Sequence, residues 1–414
     1  MTLRSRRLRL AAALAFLATA ALAPALAAQG KVACAEGNGG LTLPAGFCAA
    51  VLADGLGEVR QLAVAPGGVL YAAVREASEG VLALRDRDGD GRVEARASFG
   101  PGGGNDVEVR DGYLYFAQTD RVVRWRLPAR ALEPEEPPET IVSGLPDEGS
   151  HREKSLAFGA GKVMYVAVGS ASNSCQQSDR EAGSPGLEPC RELQRHAGIW
   201  MFDADRPGQG FADGRRFATG LRNPLALAVQ PGTGALFAAV HGRDQLGDHW
   251  GFSDEANAEN PAEELVRVDD GDDFGWPYCY YSSEYRKKVL APEYGGDGRK
   301  VGRCAEAEEP VLAFPAHWAP LALAFYSADA FGPDYRQGLF VAFHGSWNRA
   351  PLPQSGYRVA FVPFEAGVPS ADFETFAIGG TPTALRASGL AVGTDGSLFI
   401  AGDANGKIWK VVRR

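Results

Sequence analysis

The chain has 414 residues, 45% of them hydrophobic, with 52 glycines and 3 methionines. That is enough apolar mass for a large core, and the glycines ask for many tight turns, which suits strands better than long helices. A formal net charge of −9 argues against nucleic acid or an anionic membrane surface as partner.

In chain order, the first element is a leader. Arg4, Arg6, Arg7 and Arg9 are followed by an apolar run from Leu10 to about Leu22, and Ala25-Leu26-Ala27 forms an A-x-A cleavage pattern. The run is short for a bilayer span, so residues 1–27 read as a cleaved export signal; no other stretch could span a membrane. Cleavage leaves 38 basic against 51 acidic side chains, a net charge of −13. The mature chain is expected in the periplasm or outside the cell, as a monomer or homodimer.

Six cysteines remain: Cys34, Cys48, Cys175, Cys190, Cys279 and Cys304. An even count in an exported chain points to disulfides, although spacing alone does not fix their connectivity. Sequential pairing (Cys34–Cys48, Cys175–Cys190, Cys279–Cys304) is the simplest arrangement. No C-x-x-C pattern supports a metal cluster.

From Leu62 onward one unit recurs: an apolar alternating run, a glycine-containing turn, and a second apolar run. The copies are Leu62–Val74, Val107–Ala117, Leu156–Val168, Leu225–Val240, Leu321–Phe343 and Leu390–Ala401. Each is a hairpin pattern, and most are followed by a third apolar run, as at Val81–Leu84, Val122–Trp125, Gly198–Phe202 and Lys407–Val411. Six small sheets in tandem predict an all-β, six-bladed β-propeller over residues 28–414 as one domain. Two long polar insertions, Ser170–His196 and His241–Cys304, are expected to build a site on one face.

Charged and titratable residues recur at a fixed phase of this repeat. Arg60 opens the first copy, His151 precedes the third, Arg222 and Asn223 open the fourth, and Arg386 opens the sixth; Asn348 and Arg349 follow the fifth. Residues at one repeat phase converge on a propeller's axis. An imidazole there can take a proton from a hydroxyl near neutral pH. Arginines gathered at the hub of an acidic ring ask for a flat anionic ligand, since guanidinium forks carboxylates and stacks on rings. The alternative is that each arginine ties blades together through Asp or Glu. His317 and His344 are also expected to face the funnel. Asp86-Arg87-Asp88-Gly89-Asp90-Gly91 resembles half of a calcium loop, but Ala97 stands where its bidentate Glu belongs, so a weak calcium site and a plain acidic turn both remain open. The carboxylates between Asp244 and Asp273 suit either a hard cation or a solvated loop. No phosphate-binding loop, dinucleotide fingerprint or nucleophile elbow is present.

Seven segments carry a family resemblance: HREKSLAFGAGKVMYVAVGSASNSC, GLRNPLALAV, GRDQLGD, PAEELVRVDDGDDFGWPYCYY, FPAHWAPLALAFY, HGSWNRAPLPQSGYRV and RASGLAVGTDGSLFIAGD. With them the chain resembles the soluble sugar dehydrogenases that use pyrroloquinoline quinone (PQQ), the glucose/sorbosone dehydrogenase family, and is most similar to the sorbosone branch. The resemblance implies PQQ on the axis and His151 as general base, taking the hydroxyl proton while hydride passes to the quinone. It implies Arg222 against the quinone carbonyls, with Asn223, Arg349 and Arg386 on carboxylates or carbonyls; Asn348 and Arg60 join this cofactor set by position. It implies Ca2+ on the cofactor, held by backbone carbonyls at Gly242 and Arg243, and a second, structural calcium near Glu263, Glu264 and Phe274. The substrate implied is an aldose, sugar aldehyde or polyol, with a periplasmic electron acceptor. Ser150 and Arg243 stand where glucose-oxidising members carry Asp and Pro. A calcium-dependent propeller lactonase, which would need no converging arginines, and a non-catalytic binding propeller are the other function classes for this scaffold.

Overall fold

The computed structural model describes residues 32–127, 131–380 and 384–414; the expected leader lies outside them. Six sheets, antiparallel except where Gln209–Gly210 joins Glu139–Ser143 in parallel, form the six blades of a β-propeller, and every repeat copy supplies the two inner strands of one blade. The innermost strands are Val59–Val64, Asp106–Arg110, Leu156–Phe158, Ala226–Val229, Pro320–Tyr326 and Ala387–Val392, for blades 1 to 6 in order. Each packs beside the next and the sixth packs beside the first, which closes the ring. The ring is locked by chain ends: Phe47–Ala53 pairs antiparallel with Lys407–Arg413 and becomes the outer strand of blade 6.

Strand period explains why the second strand of each blade is apolar on both faces. Successive side chains point to opposite sides of a sheet, and in a propeller each side meets a neighbouring blade. Leu70 and Ala72 pack toward blade 6, whereas Tyr71 and Ala73 pack toward blade 2. Leu236, Ala238 and Val240 pack toward blade 3, and Phe237 and Ala239 toward blade 5. Six apolar layers, one per blade interface, make up the core.

The same pairing decides where the site lies. The start of each innermost strand registers with the end of the second strand, as in Leu156 with Val166, Ala226 with Ala239 and Ala387 with Gly402. Residues before an innermost strand and loops after a second strand therefore share one face. The loops after Val168 and Val240 both rise from it, and they are the two long insertions foreseen from sequence.

The three disulfides join sequential neighbours: Cys34–Cys48, Cys175–Cys190 and Cys279–Cys304. The last two pin the insertions, and such bonds belong to oxidising compartments. The Cys279–Cys304 bridge closes a separation of 25 residues. Replacing both with Ser is expected to lower stability by about 3 kcal/mol, read from urea unfolding. An unchanged midpoint would show that hydrogen bonds alone hold the insertion.

Candidate active site

His151 lies on the shared face, just before the innermost strand of blade 3. Its Nδ1 sits 2.9 Å from the Ser170 carbonyl oxygen and 3.0 Å from Ser170 Oγ. A carbonyl only accepts, so Nδ1 carries the proton; Ser170 Oγ–H donates to Ser172 O at 2.6 Å and is free to accept too. The Nε2 lone pair is then left for chemistry. Burial, reinforced by the nearby Arg222 guanidinium, holds the His151 pKa well below its ordinary value. The imidazole is neutral at physiological pH and able to accept a proton.

Arg222 is the structural centre of the site. Its Nε donates to Asn173 O at 3.2 Å, Nη1 to Gly242 O at 2.8 Å, and Nη2 to Asn173 Oδ1 and Asp244 Oδ2, both at 3.0 Å. Asn173, fully buried, returns the tie by donating Nδ2 to Asp244 O at 3.1 Å. Asp244 also accepts from Arg180 Nη2 at 3.0 Å and from Asn348 Nδ2 at 2.7 Å. Loops of blades 3, 4 and 5 thus meet at one carboxylate. Asn223 donates to His241 Nδ1 at 3.3 Å, while His241 Nε2 faces the Pro320 carbonyl at 2.7 Å; burial takes the His241 pKa to about 4. Three more predicted residues form a second chain. Arg60 pairs with Asp403 at 3.0 Å, Asp403 accepts from His344 Nε2 at 2.9 Å, and Arg386 Nη1 approaches His344 Nδ1 at 3.2 Å while lying over the Tyr357 ring.

Burial alone would raise Asp244, but Arg222 and Arg180 outweigh it and hold the carboxyl at about 2. The group is lowered relative to an unfolded aspartate near ~3.9, so its stabilisation is complete above that pH and is lost as pH falls toward about 2. The expected contribution is about 2 kcal/mol. Urea unfolding of Asp244→Asn between pH 5 and 2 should show a flatter acid limb than the native chain; parallel limbs would refute the assignment.

Two sequence expectations need correction. Arg349 does not join the arginines at the hub. Its guanidinium donates to the Ala258, Ala316 and Pro353 carbonyls and pairs with Glu259 at 2.6 Å, fastening the 344–357 loop to the 254–259 helix. The second calcium set is not assembled either. Glu263 turns toward the site, accepting Gly242 N–H at 2.9 Å and Ala319 N–H at 3.0 Å, with burial raising its pKa to about 8. Glu264 and the Phe274 carbonyl instead meet the ammonium of Lys288. The Arg243 side chain is buried in an ion pair with Glu293, which also accepts from Trp250 Nε1 at 2.9 Å. Gly242 O accepts from Arg222 and keeps a lone pair for a cation. Sequence reading missed Asn173, His241 and Asp403. Each follows a second strand of blade 3, 4 or 6, a position the sequence reading did not examine for polar residues. Asp86, Asp88, Asp90 and Glu94 cluster within 4.8 Å, with Lys410 against Asp86.

Comparison with known proteins bears on the fold and the family. A family model described as TrAA12-like matches residues 41–414. A solved structure of carbohydrate-active enzyme family AA12 from Trichoderma reesei aligns with a TM-score of 0.76 at 20% identity, covering 93% of this chain and 99% of that one. The holo form of the pyranose dehydrogenase PQQ domain from Coprinopsis cinerea aligns at 0.73 and 21%, covering 90% of this chain and 97% of that one. By sequence, a pyrroloquinoline quinone-dependent pyranose dehydrogenase of Coprinopsis cinerea is 29% identical over 212 residues, 44% of this chain and 27% of that protein. The chain spans under half the length of the curated relatives it matches.

Proposed function

The chain belongs to the TrAA12-like family, and from that premise we propose that it is a PQQ- and calcium-dependent dehydrogenase of an aldose, sugar aldehyde or related polyol, working in the periplasm or outside the cell. The observation that carries this reading is a neutral, half-buried imidazole close to the Arg222 guanidinium at the hub of an acidic propeller. A lactonase would need no converging arginines, whereas this hub carries Arg60, Arg222 and Arg386 interleaved with Asp244, Asp403 and Asn173.

PQQ, when bound, supplies the two-electron oxidant. His151 Nε2 takes the proton of the substrate hydroxyl, and the Ser170 carbonyl steadies the imidazolium through Nδ1–H. Arg222, Arg386 and Arg60 would hold the anionic cofactor, and the Arg222 guanidinium would supply positive charge next to it. Gly242 and Arg243 offer backbone carbonyls to the calcium that accompanies it. A cavity of about 270 Å³ lined by Arg75, Glu76, Asn105, Thr119, Ser150 and Arg152 lies next to the segment that carries His151, although His151 itself does not line it. This mixed polar lining suits a polyhydroxylated ligand better than an apolar one.

Reconstitution tests the proposal. Purified protein loaded with PQQ and calcium is expected to reduce a redox dye on addition of members of a panel of pyranoses, aldoses, polyols and sorbosone, the last because placement in the sorbosone branch rests on motifs alone. Lactone hydrolysis without PQQ, or no reaction and no PQQ binding, would replace this reading with the hydrolase or the binding propeller.

A further inference from the structure

We propose that the ammonium of Lys288 is a built-in cation that takes the place of the second, structural calcium, so the insertion beside the active site is fastened without metal. Lys288 Nζ lies 2.5 Å from Glu264 Oε2 and 3.0 Å from Phe274 O, oxygens of two of the three residues near which the resemblance puts that calcium. The residue is only 2% exposed. A calcium ion bound to the same two oxygens would lie ~2.3–2.6 Å from each and would fall on the space that Nζ occupies. An ammonium there is well served by one carboxylate and one carbonyl.

The placement is a product of the fold. Lys288 sits on the Cys279–Ser282/Lys287–Leu290 hairpin, in register with Tyr281, and its own N–H donates to Glu309 Oε1 at 3.0 Å. The Cys279–Cys304 bond pins the base of that hairpin. Glu264 belongs to the third strand of blade 4, next to Glu263, which holds Gly242 N–H. The bond from Lys288 therefore braces the insertion against the strand that also positions the expected calcium-binding carbonyls on the axis. A covalently tethered charge cannot be removed by chelation, so chelators should strip the axial calcium and leave this brace intact. The inference concerns this pair alone and stands whether or not the sugar dehydrogenase reading holds.

Calcium counting on the full chain tests it, by equilibrium dialysis followed by atomic emission. Lys288→Gln is expected to bind one more calcium per chain than the native protein and to melt at higher temperature when calcium is added; Lys288→Gln/Glu264→Gln should lose both gains. An anomalous difference map from native crystals grown in calcium should show no peak between Glu264 and the Phe274 carbonyl, a readout that needs no variant to fold. A calcium peak at that point in the native protein, or a Lys288→Gln chain that folds and gains no calcium, would overturn the proposal.

Discussion

His151→Ala is expected to bind PQQ as the native chain does and to lose turnover by ~100-fold or more. The side chain has one hydrogen-bonding neighbourhood, Ser170 O and Oγ at Nδ1, and it braces no other loop. Removing it should disturb the base and little else. The accompanying pH signature has a definite sign. Because burial and Arg222 lower the His151 pKa, the base is neutral above that lowered value. The native kcat/KM should therefore be level through neutral pH and fall only on the acid side, below the ordinary histidine range. A variant with native turnover would remove His151 from the chemistry, and an acid limb centred above pH ~6.5 would contradict its environment.

Arg222→Leu is expected to weaken PQQ binding by ~100-fold or more, about 2.7 kcal/mol. It should also move the acid limb of the pH profile upward, since the positive charge that helps lower His151 has gone. Arg222→Lys should reverse most of the pH shift, which needs only the positive charge, but should not restore the affinity. The guanidinium meets Asn173, Gly242 and Asp244 at once through three nitrogens in a fixed fork, which a single ammonium cannot reproduce. Calorimetric titration with PQQ gives the first quantity and steady-state kinetics the second. Native PQQ affinity in the leucine variant would mean that Arg222 serves only to tie Asp244.

The blades were legible because their two inner strands are buried on both sides and turn through glycine. The third strands of blades 4 and 5 were hidden. Glu263, Glu264 and Arg267 interrupt one apolar run, and Arg358 heads the other. Outer strands such as Ala95–Phe99 alternate half-buried with exposed residues, so no apolar run marks them. Closure of the ring by Phe47–Ala53 depends on pairing across nearly the whole chain, which no local pattern carries. Repeat phase located His151, Arg222 and Arg386 because it fixes where an innermost strand begins. It failed for Arg349, which sits in a long loop after a second strand, where phase no longer sets side-chain direction. Lys288 was invisible for a related reason: its partners, Glu264 and Phe274, become neighbours only when the insertion folds back on blade 4.

The most direct test of the central claim is a titration of the cofactor-free protein with PQQ in the presence of calcium, followed by sugar under anaerobic conditions. One PQQ bound per chain, with a spectral change of the bound quinone when a substrate sugar is added, is the expected result. Absence of PQQ binding at any calcium concentration would leave the arginines at the hub as ties between blades and the protein without its proposed oxidant.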